Sequence, residues 1–250
     1  MNDLAIPPLK KRAGLLESAL LKMFTRRARV LDIEDIGDAF RIVTLGGEAL
    51  RDAGWTPGDK IQVQLGGWTR RTYTPMGWDA VGGRTRILVY LHAGGPGARW
   101  AGALRPGDDC VVFGPRRSVR LLQPVRPQST VIVVGDETSL GLAAALADQM
   151  AAPAVLGLFE VWRAADAAPV IERLQMQGAA LCPRLENDGH VAGMEARLAD
   201  LLRAHPEADV VLTGRAGAIQ RMGKLLKREN LAAGRRQSKA YWAPGKTGLD

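Results

Sequence analysis

Val131-Ile132-Val133-Val134-Gly135-Asp136-Glu137-Thr138-Ser139-Leu140-Gly141 runs an all-apolar strand straight into a glycine, two acids and two hydroxyls. Four consecutive β-branched residues fit a strand covered on both faces, as in parallel sheets. The rhythm that follows is strand, helix, strand, helix. Apolar runs at 154–160, 179–185 and 210–213 read as further strands, and helical spacing appears across 143–150, 171–176, 194–202 and 216–231. A final strand follows the last helix and ends at Tyr241-Trp242. This alternation predicts a doubly wound parallel sheet with flanking helices over residues 130–250. In such sheets ligands sit at the carboxyl ends of the strands, where the segment from Gly135 to Gly141 lies. It lacks the three-glycine dinucleotide fingerprint. Asp136 or Thr138 could equally cap the next helix, with Glu137 in its first turn.

Upstream the texture is different. Between Arg29 and Phe113, short alternating runs at 30–36, 40–45, 60–65, 71–74, 84–91 and 110–113 are split by Gly and Pro turns. They predict a six-stranded antiparallel barrel over residues 26–122, interrupted by one helix around 97–104. Leu15, Leu16, Ala19, Leu20 and Met23 predict a first helix within residues 1–25. Two prolines with Gln and Ser between 122 and 130 read as a linker.

The 250 residues fit two domains, and 46% hydrophobic with 24% charged content excludes a disordered chain or a collagen-like repeat. No apolar run approaches the ~20 residues that span a bilayer. The first residues lack the basic-then-apolar order of a secretory signal. Two cysteines, Cys110 and Cys182, cannot form a scaffold, which points to a reducing cytoplasm. Three well-separated histidines give no metal spacing. Charge is segregated: residues 1–124 carry a surplus of 7 positive charges, residues 125–214 a surplus of 6 negative, and residues 215–246 a surplus of 8 positive. A basic segment of that density attracts anions, whether nucleic acid, a phosphorylated cofactor or an acidic small molecule.

Four segments carry residues with usable chemistry. In Arg71-Thr72-Tyr73-Thr74-Pro75, strand alternation puts Arg71, Tyr73 and Pro75 on one side and Thr72 and Thr74 on the other. The Arg offers a fork for phosphate, the Tyr a stacking face and a Thr a hydroxyl for a ring nitrogen; an ordinary surface strand has the same composition. His92, then Gly94-Gly95-Pro96-Gly97-Ala98-Arg99-Trp100, is a glycine-rich turn opening a helix, where free N–H groups and the helix dipole suit a pyrophosphate. The glycines could also serve only for positive φ, and His92 could be structural. Asp136, Thr138 and Ser139 form the third segment. The fourth joins Thr213-Gly214-Arg215 to Lys239-Ala240-Tyr241-Trp242, with Arg221, Lys224, Lys227, Arg228, Arg235 and Arg236 between them. A solvated helix face is the plainer account of that basic run.

Taken in this order, the four segments resemble the siderophore-interacting proteins, the ferric-siderophore reductases of the ferredoxin-reductase superfamily, from about Ala28 to Trp242. The resemblance implies that Arg71, Tyr73 and Thr74 hold the flavin, and that Gly94, Gly95, Pro96, Trp100 and Ala101 face its pyrophosphate. Gly135 to Thr138 matches a strong family mark, and Tyr241-Trp242 the family's closing aromatic pair. Met76, Ala98, Gly141 and Arg215 depart from the family pattern, which commonly has Arg, Ser, Pro and Glu at those places.

The same resemblance implies that NADPH passes a hydride to flavin N5 and that the reduced flavin passes electrons singly to Fe(III), releasing iron as Fe(II). FAD is expected before FMN, and NADPH before NADH. The short tail and the cations Arg163 and Arg215 near strand ends point to NADPH. The expected substrate is a ferric siderophore, drawn by Lys239, Arg235 and Arg236. No protein general base is required and no metal site is expected. The chain is expected to act as a cytoplasmic monomer without nucleic acid or stable membrane association. The competing readings are a flavin reductase serving a ferredoxin or flavodoxin, and a basic nucleic-acid-binding module.

Overall fold

The computed structural model describes residues 25–67, 69–92, 94–119, 130–149 and 155–246. The expected first helix, Ala93 and the linker up to residue 129 lie outside them. Seven antiparallel strands form the first sheet: β1 (Thr25–Ile36), β2 (Phe40–Gly46), β3 (Lys60–Gly66), β4 (Thr69–Tyr73), β5 (Pro75–Asp79), β6 (Arg84–Tyr90) and β7 (Asp109–Arg116). Their order is β4-β3-β7-β1-β2-β6-β5, so the sheet curls like a barrel but stays open between β4 and β5.

This corrects the expected count of six. Pro75-Met76-Gly77 reads as a turn, yet it opens an edge strand, where the missing N–H of proline breaks no ladder. The chain swings at Thr74 from its pairing with β3 to a pairing with β6. Period-2 alternation sends Val30, Val43, Leu45, Ile61, Val63, Ile87, Val89 and Val112 into one core. Helix α1 (Pro96–Ala103) follows β6 and begins with proline in its first turn.

The second sheet is wholly parallel, as expected: β8 (Val131–Asp136), β9 (Val155–Val161), β10 (Ala179–Pro183), β11 (Asp209–Arg215) and β12 (Arg236–Trp242), in the order β10-β9-β8-β11-β12. Every residue of the central β8 is buried. Helices α4 (His190–Ala204) and α5 (Ala216–Arg228) cover one face through Met194, Leu198, Leu202, Met222 and Leu225. Helices α2 (Leu140–Gln149) and α3 (Ala164–Arg173) cover the other. On that face Leu140, Leu142, Leu146, Phe159 and Val170 share a core with Ile36, Phe40, Ile42 and Met76 of the first sheet. Met76, where the resemblance expects a second Arg, is therefore an apolar contact between the two sheets. This shared core sets the carboxyl end of the parallel sheet against the β4–β5 junction. A Cβ added at Gly141, in the first turn of α2, would stand 3.4 Å from the Thr74 carbonyl oxygen and 3.7 Å from Met76 Cγ.

Candidate functional site

Arg71 and Tyr73 lie two apart on β4, and both reach the amino end of α1. A Cβ added at Gly97 would be 2.8 Å from Tyr73 Oη and 3.5 Å from Arg71 Cγ. The Tyr73 and Trp100 rings stand 6.0 Å apart. Gly95 caps α1 in extended conformation with no side chain satisfying the first-turn N–H groups, and Gly94 sits at φ +71°. An uncapped helix start beside a forked cation is a donor set for a diphosphate. Arg99 turns back onto the Gly94 carbonyl. Ala98 stands in the same first turn with no hydroxyl to add. His92 lies beside this turn, 5.4 Å from the Tyr90 ring. On the opposite face of β4, Thr72 Oγ1 is buried and has no hydrogen-bond partner among the described residues. A buried hydroxyl left unmatched is costly. These features fit a flavin nucleotide: a stacking aromatic, an orphaned hydroxyl on an edge strand, and amide donors with an Arg for the phosphates.

The carboxyl end of the parallel sheet faces this region. The Tyr241 hydroxyl lies beside the side chains of Thr74 and Thr213, and burial pushes its pKa up to about 12. Thr213 Oγ1 donates to Ser139 Oγ at 2.9 Å. Thr138 N–H donates to Asp136 Oδ1 at 2.9 Å, and Trp242 Nε1–H donates to Asp136 Oδ2 at 2.7 Å. Ser139 Oγ accepts from Asp136 N–H, completing a capping box. Asp136, Thr138 and Ser139 thus take the capping arrangement, and both Asp136 oxygens point inward, with burial raising the carboxyl pKa. Tyr90, from the first sheet, meets Glu137; burial and that carboxylate push Tyr90 up to about 12.

Beside this lies an ionic cluster that the sequence reading missed. Glu160, at the end of β9 and fully buried, receives Arg215 Nε and NH2, each at 2.7 Å. His190 Nε2 lies 2.7 Å from Glu160 Oε2. The Leu185 N–H donates to His190 Nδ1 at 3.1 Å, which assigns the imidazole proton to Nε2, donated to Glu160. Glu137, half of the expected acidic pair, accepts from Arg184 NH2 at 2.8 Å and from the Trp162 N–H at 2.5 Å. Arg184 also lies over the Trp242 ring, 5.5 Å from its centre. A lone carboxylate closing an apolar strand was the available signal, because such a group must find a cation inside the fold.

Burial alone would raise the Glu160 carboxyl, but the bonds from Arg215 and His190 outweigh it and hold the pKa below its ordinary value. Its contribution to stability is therefore full above the ordinary value near ~4.3 and is lost as pH falls through the lowered native value. Glu160→Gln should cost about 3–5 kcal/mol at pH 7, since it leaves Arg215 partly uncompensated. Urea unfolding should show that cost shrinking at acid pH, and a cost constant down to pH 3 would contradict this reading.

The other expected site residues fall as follows. Arg163 follows β9 with its side chain 66% exposed and paired to Asp166 at 3.0 Å. Arg215, only 12% exposed, is committed to Glu160 and Asp188. Arg235 and Arg236 stand at the amino end of β12, seven and six residues from Trp242, hence roughly 20 Å from it at ~3.3 Å per residue. Arg235 is held there by Glu207 at 2.8 Å and by the Pro206 carbonyl. The structure does not bring them to the β4–β5 junction; parallel pairing starts β12 at the far edge. Lys239 pairs in register with Thr213 and, two residues before Tyr241, shares its face of β12. Of the wider basic run, Arg221 is bound to Glu195 and Arg228 to Glu229.

An open antiparallel sheet against a five-stranded parallel sheet is a fold this chain shares with ferredoxin reductases. Residues 67–119 match the family described as the siderophore-interacting FAD-binding domain, which bears out the resemblance seen in Arg71, Tyr73 and the Gly94–Gly97 turn. A siderophore utilization protein from T. fusca is 24% identical, with a TM-score of 0.68 over 90% of this chain and 95% of that one. The siderophore-interacting protein SipS from Aeromonas hydrophila is 23% identical, with a TM-score of 0.70 over 89% and 93%. A ferredoxin reductase of carbazole 1,9a-dioxygenase, 15% identical, superposes with a TM-score of 0.71 over 87% and 69%. No curated protein matches the chain. Among the described residues no helix is long and apolar enough to cross a membrane.

Proposed function

We propose that the protein is a flavin oxidoreductase that draws electrons from NADPH and delivers them to ferric siderophores. The match to an FAD-binding family and the ferredoxin-reductase-like fold support the flavin oxidoreductase. The observation that carries the reading furthest is Tyr241, whose hydroxyl lies beside both Thr74, directly after the candidate flavin strand, and Thr213 near the end of β11. A flavin held on β4 and a nucleotide held at the carboxyl end of the parallel sheet would then share one cleft.

FAD would rest on Arg71, Tyr73, Thr72, Thr74 and the Gly94–Ala98 turn, and would supply the conversion of a hydride into single electrons. Arg71 and the α1 amides would bind the phosphates, Tyr73 and Trp100 would bound the ring, and Tyr241 would pack beside Thr74. Asp136 holds the Trp242 indole in place from below. The shared apolar core keeps water from the sheet junction. Hard anionic oxygens hold Fe(III) tightly and Fe(II) less so, so reduction releases the metal. Lys239, on the cleft-side face of β12, is the cation of the three expected that remains placed to attract an anionic complex.

Anaerobic protein supplied with NADPH, a ferric hydroxamate or catecholate complex and a ferrous trap is expected to release Fe(II) only when flavin is bound. Flavin reduction without Fe(II) release would leave the reductase of a ferredoxin or flavodoxin as the better reading. Lys239→Ala should lower the rate with anionic complexes and flatten its salt dependence, which at 0.1 M acts over about 10 Å. NADPH-driven flavin reduction should be unchanged, and an unaltered salt slope would remove Lys239 from the substrate path.

A further inference from the structure

His190, the first residue of α4, is buried and engages both ring nitrogens. Nε2 lies 2.7 Å from Glu160 Oε2, and Nδ1 accepts the Leu185 N–H at 3.1 Å. Only the neutral ring with its proton on Nε2 makes both bonds. A second proton would sit on Nδ1 and meet the Leu185 N–H donor against donor. The ring thereby fastens the loop that joins β10 to α4. At the near end of that loop the Arg184 N–H donates to the Val161 carbonyl at 2.8 Å, and at the far end Asp188 Oδ2 accepts from Arg215 NH1 at 3.0 Å. Asn187 and Asp188 take φ values of +51° and +58°, a sparsely populated conformation that persists while its surroundings hold it.

The charges nearest the ring are Glu160 from β9 and Asp188 from the loop, against Arg215 from β11. They leave a negative surplus, which favours an added proton. Hydrogen bonds from Arg215 hold the Asp188 carboxyl below its ordinary value, so Asp188 keeps its charge in mildly acid solution. Cys182 from β10 stands beside Glu160 with its thiol pushed up by burial, and Arg197 of α4 lies near that thiol. Arg221 of α5 faces Asp188 but is paired with Glu195. Arg184 reaches Glu137 at 2.8 Å and stands 3.9 Å from both Glu160 and Asp136. Burial raises Asp136 and Glu137, which makes them the other proton acceptors of the cluster, yet neither receives the Leu185 N–H.

We propose that His190 is a protonation-sensitive latch. Neutral, it holds the 184–189 loop shut, and with it Arg184 against Glu137 and the Trp242 ring. Protonated, it releases the Leu185 N–H and the loop opens. The open loop binds one proton more than the closed one, so falling pH favours opening. The latch acts on the closing aromatic of the site and does not depend on which acceptor takes the electrons. Ring-nitrogen NMR and amide hydrogen exchange on the isotope-labelled full chain test it from about pH 8 to about pH 5, a span that covers histidine titration. His190→Asn identifies the ring signals by their loss. It also offers the Leu185 N–H a side-chain oxygen that takes up no proton in this range. In wild type, protection of the Leu185 amide, corrected for intrinsic exchange, should fall about tenfold or more with the midpoint of the His190 ring. The Trp242 indole N–H signal should shift with it. In His190→Asn the Leu185 amide should lose that pH dependence. A ring that stays neutral throughout, Leu185 protection that stays constant while the ring titrates, or an equal fall in His190→Asn overturns the latch. If the variant fails to fold, the wild-type midpoints decide, and separate midpoints for ring and amide overturn it. Release of Fe(II) tests the proposed function separately and is untouched by either result.

Discussion

Arg71→Ala should emerge from purification with little flavin, its affinity for FAD reduced ten- to a hundredfold. One charge-assisted hydrogen bond to a phosphate is worth roughly 1.5–3 kcal/mol, which converts to that range. The effect is expected to be this large because the helix start beside Arg71 has no side-chain cap, and Arg70, the other cation of that strand, lies over the Phe113 ring instead. Arg71→Lys keeps the charge and loses the fork, so it should recover only part of the affinity. Gly97→Val attacks the same place by bulk, since even its Cβ would stand 2.8 Å from Tyr73 Oη. Flavin fluorescence titration of the apoprotein reads both variants. Full occupancy in Arg71→Ala would remove the residue from the flavin site.

Gly214→Ala should be the most damaging small change in the parallel sheet. Gly214 sits at φ +94°, and a Cβ there would lie 2.5 Å from Asp136 Oδ2. Backbone strain of this kind costs about 1–3 kcal/mol. Displacing Asp136 also breaks its bonds to Thr138 and Trp242, at about 1 kcal/mol or more each. A total of about 3–5 kcal/mol corresponds to a fall in Tm of roughly 6–20 °C for a chain of this size. Gly223→Ala supplies the contrast: it lies inside α5, with nothing within 4 Å of an added Cβ. That change should raise stability by about 0.5–1 kcal/mol. Similar melting temperatures for the two variants would contradict the close approach of Gly214 to Asp136.

The parallel half of the fold was legible because Val131–Val134 and its successors are apolar on both faces, a pattern with few other uses. The seventh strand of the first sheet was not legible. Pro75 and Gly77 carry turn signals, and only an unpaired sheet edge makes them acceptable in a strand. Helix α3 begins at Ala164, well before residue 171, because Ala164, Ala165, Ala167 and Ala168 give too little contrast for a helical period to show.

At the site, Arg71, Tyr73 and the Gly94–Gly97 turn were readable, since alternation and helix-start chemistry are local. The Glu160–Arg215–His190 cluster joins residues 30 and 55 positions apart and depends on strand order. Arg215 consequently looked like a phosphate ligand when its partners are carboxylates. That Arg235 and Arg236 lie at the far end of β12 from Trp242 also depends on strand direction, which the sequence alone does not give.

The proposed activity ends with electrons leaving for iron. Counting Fe(II) released per NADPH consumed, anaerobically and with excess ferric siderophore, tests this most directly. Two Fe(II) per NADPH, abolished when the flavin is stripped and restored when FAD is added back, is the predicted result. NADPH consumption that reduces the flavin and then stops, with the ferric complex intact, would contradict it.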